Sequence, residues 1–196
     1  MSSLIDMVGA AILFGVLLLT VVRVQGNLST TQYQNTFNLS TEMEAVQIAL
    51  ILEHDFTKAG YGVTGKKVYS ADTSSISFVG AFTYGGAVDS IAYYRGTNDS
   101  STTNPYDFRF IRYSRSGGLQ SQRLGMTSLA FSYFDTTNTK MSTPVTGSNL
   151  AAIRSIDVKF RVESLEPVID PIRGDTTYYS VTWEKLIYPR NLGKPF

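Results

Sequence analysis

Met7 to Val22 read MVGAAILFGVLLLTVV, sixteen residues without a charge. As a helix rising about 1.5 Å per residue this run is about 24 Å long, short of the roughly 30 Å hydrocarbon core of a bilayer. Extending it to Leu4–Val24 gives about 31 Å on the same rise, and the extension brings in Asp6. The reading of residues 1–26 is therefore a transmembrane helix with a carboxylate near its start. An acid at such a depth costs about 2.5–3.5 kcal/mol on insertion scales, so it calls for a partner or a function.

A cleaved secretory signal would carry a basic n-region and a small-residue cleavage site, but no Lys or Arg precedes Arg23. A plain signal-anchor helix accounts for the apolar run and leaves Asp6 without a role. A third reading accounts for both. Ser2-Ser3-Leu4-Ile5-Asp6-Met7-Val8 resembles the mature N-terminus of type IV pilins and type II secretion pseudopilins, which read Phe-Thr-Leu-Ile-Glu-Leu-Met or close to it before a long apolar helix. Leu4 and Ile5 match the family's Leu-Ile, and Asp6 stands at its acidic position. Removal of Met1 alone makes Ser2 the first residue and Asp6 the fifth, which is the family register. The family's proline near position 22 has no counterpart here, so Gly9, Gly15 and Gly26 are the intrinsic weak points of the helix.

The resemblance implies assembly. In this family the acid neutralises the N-terminal amine of a neighbouring subunit. An α-amine with a pKa of about 7.7–8.0 is mostly protonated at neutral pH, and opposite charges attract strongly in a low-dielectric core. Ser2, Leu4, Ile5 and Asp6 are thus the expected assembly residues. Gly9, Ala10, Ala11 and Gly15 are expected to let neighbouring helices approach closely.

After Gly26 the chain turns polar to Asn38 and then takes a helical pattern again. Leu39, Met43, Val46 and Leu50 recur at spacings of 4, 3 and 4, which marks one helix face. Ile48, Leu52 and Phe56 widen the stripe, and this face is expected to pack under a sheet. Lys58, Gly60 and Gly62 supply helix-ending signals. Leu52 to Gly62 read LEHDFTKAGYG, which is similar to the Leu-x-x-Asp-hydrophobic-basic-x-Ala-Gly-Tyr segment of larger minor pilins and pseudopilins. Residues 27–62 are read as an amphipathic continuation of the helix and 63–196 as a β-rich head.

Strands are expected at Ser75–Val79, Ser90–Arg95, Phe108–Ser114, Leu119–Leu124, Met126–Phe134, Ile153–Leu165 and Tyr178–Tyr188, separated by turn clusters. In SIDVKFRV, Ser155 to Val162, Ile156, Val158, Phe160 and Val162 alternate with charged residues, the pattern of a half-buried antiparallel strand. Gly117-Gly118 is read as a hairpin turn, and Thr97–Asn104 and Asp135–Asn149 as loops.

Composition narrows the chemistry. Net charge is +1, from 17 basic and 16 acidic residues, so the basic footprint of a nucleic-acid binder is missing. The absence of cysteine removes disulfides, thiolate metal sites and cysteine nucleophiles. His54, the single histidine, cannot alone build a His-rich metal site. Its neighbour Asp55 points to another helix face, so no dyad is expected. No G-x-S-x-G, P-loop, H-E-x-x-H or G-x-G-x-x-G pattern occurs. Asp99 and Asp135, in loops that could hold calcium, are read as turn formers.

The expected architecture is α+β, a long N-terminal α-helix packed on a C-terminal antiparallel β-sheet head. The expected function is that of a filament subunit without a catalytic site, metal or cofactor. Its partners are other copies of itself or related pilin subunits, the inner membrane before assembly, and a pilus assembly platform. The alternative is a monomeric membrane-anchored binding protein, which has no need of Asp6. A tethered enzyme ranks third.

Overall fold

The computed structural model describes residues 2–83, 85–169 and 176–193. A single helix, α1, runs from Ser2 to Thr57. The polar stretch between Gly26 and Asn38 does not interrupt it. No proline occurs before Pro105, and Thr30, Thr31 and Thr36 turn their hydroxyls back onto the carbonyls of Gly26, Asn27 and Gln32, four residues earlier. Their side chains thus bond to the helix instead of competing with it. Two compact units divide at residues 39 and 40, Met1–Leu39 and Ser40–Phe196.

In the second unit the helix ends at Thr57, and the turn that follows passes through Gly60, whose φ of 78° suits a residue without Cβ. The Gly60 amide pairs with the Val79 carbonyl at 2.8 Å, so the departing chain is tied at once to a strand. A Cβ at Gly80 would run into the carbonyl oxygen of Lys58. Glycine is therefore what lets the strand approach the helix end this closely.

The strands are β1 (Val68–Ala71), β2 (Ser75–Gly80), β3 (Asp89–Asn98), β4 (Phe108–Ser114), β5 (Gly118–Phe134), β6 (Ser155–Glu163), β7 (Val168–Ile169), β8 (Thr176–Thr177) and β9 (Ser180–Ile187). Seven of them form one antiparallel sheet in the order β1-β2-β3-β4-β5-β6-β9, and β7 pairs with β8 apart from it. The α+β architecture is as expected. Phe108–Ser114 has the expected bounds, and Gly118 pairs with Ser114 across the predicted hairpin turn.

Leu119–Leu124 and Met126–Phe134 turn out to be parts of one strand. Gly125, at φ 58°, sits where the register of β5 shifts against β4, and a second shift, against β6, follows between Met126 and Ser128, so the two segments are joined by a bulge. Strand β1 and the short β7–β8 pair were not anticipated. Four residues, or two, carry too little alternation to read. Between β5 and β6 a 3-10 helix, Gly147–Ala152, buries Leu150.

The core lies between the helix and one sheet face. Phe56 is fully buried at its centre, with ring centroids 5.0 Å from Phe78 and 5.8 Å from both Tyr93 and Phe131. Fully burying such a side chain contributes about 1.5–3 kcal/mol. Ile156, Val158, Phe160 and Val162 point inward from β6 as their alternation predicts.

Of the expected helix face, Ile48, Leu52 and Phe56 pack on the sheet and the other four residues do not. Ala45, Ile48, Ala49, Leu52 and Phe56 are buried, whereas Leu39 (60%), Met43 (71%), Val46 (58%) and Leu50 (63%) are exposed. The helix carries two apolar rows, and the one with alanines lies against the aromatic sheet. Phe78, Tyr93, Phe110 and Phe131 already fill that space, and small residues let the helix come close.

At the β3–β4 loop, Asp107 is buried and one of its carboxylate oxygens has no hydrogen-bond partner. Burial pushes its carboxyl above the usual range, the Thr102 hydroxyl (2.7 Å) works against this, and Asp99 adds to it. A raised carboxyl pKa means that ionised Asp107 costs stability above its folded pKa and none below its unfolded value. Asp107→Asn keeps the Thr102 bond and removes the charge. The variant is expected to have a higher urea midpoint in detergent at pH 7, with the gap to the native chain closing as pH falls toward about 4.

Candidate functional site

The residues expected to direct assembly all lie on the first unit's helix, and Leu4, Ile5 and Asp6 are exposed. The 18-residue window of highest hydropathy, mean 2.5, is wholly unburied. Leu4 and Ile5 are 69% and 73% exposed. By length and composition this helix can cross a membrane. Thr20 donates to the Val16 carbonyl at 2.8 Å, which satisfies the one hydroxyl of the run within the helix. Ser2 opens the helix, and its side chain lies outside the described residues.

The four small residues do not form one patch. At about 100° per residue, Gly9 and Ala10 flank Asp6 on one side of the helix, while Ala11 and Gly15 share another side with Leu4. A Cβ added at Gly9 or Gly15 would meet nothing within 4 Å, so contacts within the chain do not require glycine at either position.

In the second unit, the last turn of the helix is held to the sheet by a polar cluster. Asp55 is 2% exposed. One carboxylate oxygen accepts the Tyr93 hydroxyl at 2.6 Å and two Arg112 donors, Nε and Nη2, each at 2.8 Å. Tyr93 lies on β3 and Arg112 on β4. Burial, then the Asp55 charge, raises the Tyr93 phenol well above its ordinary value, so it remains a donor. For Arg112 burial opposes the charge, and Tyr93 and Asp55 more than offset it, leaving its pKa raised.

The other Asp55 oxygen lies 3.0 Å from Nδ1 of His54. This corrects the expectation that the two adjacent side chains stay apart. The half-exposed His54 ring reaches across to its neighbour, although the helix directs the two Cβ atoms differently. With Tyr93, Arg112 and His54 all on one carboxylate, Asp55 is a clamp between helix and sheet. Arg112 was not singled out in the sequence, and Tyr93 stood out only as one of a Tyr-Tyr pair in a strand, where aromatic residues usually serve the core. The two lie on separate strands, and the Ala-Gly-Tyr segment pointed only to the Asp55 side.

The two other aspartates of interest close turns. Asp135 Oδ1 accepts from the Thr137 amide and hydroxyl (2.8 and 2.7 Å) and the Thr139 amide (2.9 Å), and these bonds lower its pKa. Asp99 Oδ1 accepts from Ser101, and its Oδ2 lies 3.1 Å from Arg123 and 3.7 Å from Arg109. Two guanidinium groups take the place a cation would need. Among the described residues no group of three or more His, Asp or Glu is arranged to hold a metal ion.

No protein-family model and no curated protein matches the chain. The geometry is thus the only guide to what the exposed helix meets.

The clamp gives a direct expectation. Asp55→Ala leaves Arg112 and Tyr93 facing a buried gap and is expected to destabilise the fold by about 3–5 kcal/mol. His54→Ala removes a half-exposed contact and is expected to cost less than about 1 kcal/mol. Urea midpoints of the two variants in detergent check both values.

Proposed function

We propose that this chain is a structural subunit of a type IV pilus-like or pseudopilus filament. The observation that carries the reading is the unburied apolar helix with a carboxylate, Asp6, set near its start. In the proposed cycle the helix first lies in a bacterial inner membrane. The assembly platform then draws it out, and it joins the helices of other copies or of related subunits in a cell-surface or periplasmic filament. Asp6 pairs with the N-terminal amine of a neighbour, which fixes the axial register because a misplaced charge stays unpaired in an apolar core.

The exposed row Met43, Val46 and Leu50 supports the same reading from the second unit. Each is more than half exposed, and each would gain about 1.5–3 kcal/mol on full burial. They follow one another at helical spacing, the form of a seam for another helix. Small residues on two sides of the first unit's helix suit a subunit that meets more than one neighbour.

Asp6→Asn is expected to abolish or strongly reduce filaments in material sheared from cells, seen by electron microscopy, while the head keeps its folded circular dichroism. Filaments at native yield would remove this assignment. Val46→Glu, which buries a charge in the proposed seam, is expected to lower filament yield without lowering the urea midpoint of the head.

A further inference from the structure

The head also holds a half-open groove of about 730 Å³ that the filament reading does not use. Its volume lies within the range of small-molecule sites, about 300–1,000 Å³. Val68, Leu150, Ile153 and Leu192 form its apolar lining. Its charged residues are Lys66, Lys67 and Arg154, and no acidic residue lines it.

The cations are set in different ways. Arg154 Nη1 is bound to the carbonyls of Ala151 (2.7 Å), Ile153 (2.9 Å) and Leu192 (3.3 Å). These bonds hold one arm of the guanidinium against the groove wall. Lys67 Nζ is committed to the Asn191 carbonyl at 2.6 Å. Lys66 is exposed, with its ammonium 5.1 Å from the centre of the Tyr69 ring. Among the described residues neither Lys66 nor Arg154 forms an ion pair with a carboxylate, whereas Arg109, Arg112, Arg123, Lys159, Arg161 and Lys185 all do.

We propose that this groove binds a small carboxylate with an apolar body, the body lying on Val68, Leu150, Ile153 and Leu192 and the carboxylate meeting Arg154 and Lys66. A guanidinium presents planar, paired donors that fit a carboxylate, and Arg154 is already oriented by its carbonyl bonds. Burial, then the nearby Arg154 charge, lowers the Lys67 pKa. The lining is mostly apolar, so an inorganic anion would leave most of the groove unfilled. The site lies wholly within the second unit and stands independently of the filament reading.

The test is a titration of the full-length, 15N-labelled chain in zwitterionic lipid nanodiscs with 4-phenylbutyrate, read by amide shifts of Val68, Ile153, Leu192 and Gly193. Saturable shifts are expected, with 4-phenylbutanol binding about tenfold more weakly, the worth of one charge-assisted contact, and inorganic phosphate about tenfold more weakly because it leaves the apolar lining unfilled. Lys66→Glu, at an exposed position, is expected to weaken binding by a similar factor. Ala151→Trp, also exposed, is expected to block it by filling the groove. Absence of saturable shifts overturns the proposal. So does equal binding of the alcohol or of phosphate, or undiminished binding by the Lys66→Glu chain. Shifts that follow protein concentration instead of probe would assign the groove to a second copy and overturn it as well.

Discussion

A buried carboxylate seldom remains in a core unless donors converge on it, and Asp55 has three. Tyr93 and the two Arg112 donors come from neighbouring strands, while Asp55 comes from the last turn of the helix. Their mutual satisfaction therefore fixes the helix against β3 and β4 at one rotation and one height. Phe56, the next residue, is then directed into the aromatic cluster of Phe78, Tyr93 and Phe131. Rotating the helix by one residue would bury a charge without partners and expose its largest apolar side chain, so polar and apolar terms select the same arrangement.

That choice determines what the second unit leaves outside. With Ala45, Ala49 and Leu52 against the sheet, Met43, Val46 and Leu50 have to face away from it. Exposed apolar residues scattered singly are ordinary, but a row at helical spacing is a surface with a use. The first unit carries the same logic further, since its apolar run has no covering within the chain. By length and composition this helix can cross a membrane, and a carboxylate such as Asp6 is costly at hydrocarbon depth unless it finds a partner.

Much of this architecture is legible in the residues, and the failures have physical causes. The alternation in β6 could be read because one face is apolar and the other mostly charged. The buried helix row could be read only in part: Ile48, Leu52 and Phe56 were expected to pack, whereas Ala45 and Ala49 were not. Two rows obey the helical period, and the larger residues look like the core until the aromatic filling of the sheet is known. The helix runs unbroken through residues 26–38, and the threonine back-bonding found there depends on rotamers that a residue string does not display. The Asp55 cluster joins positions 38 and 57 residues apart in sequence, beyond the reach of local spacing. The groove likewise draws its cations from residues 66, 67 and 154, which nothing in their local surroundings connects.

The Asp55 clamp also has a mechanical meaning. A pull along the helix axis in the second unit reaches the sheet through the final turn, where Asp55, Phe56 and the Gly60–Val79 pairing are gathered. The charged bonds to Arg112 and the Tyr93 bond cross from helix to sheet side by side, so they share a tensile force instead of opening one after another. Bonds that share a force in parallel resist it far better than bonds that peel in sequence.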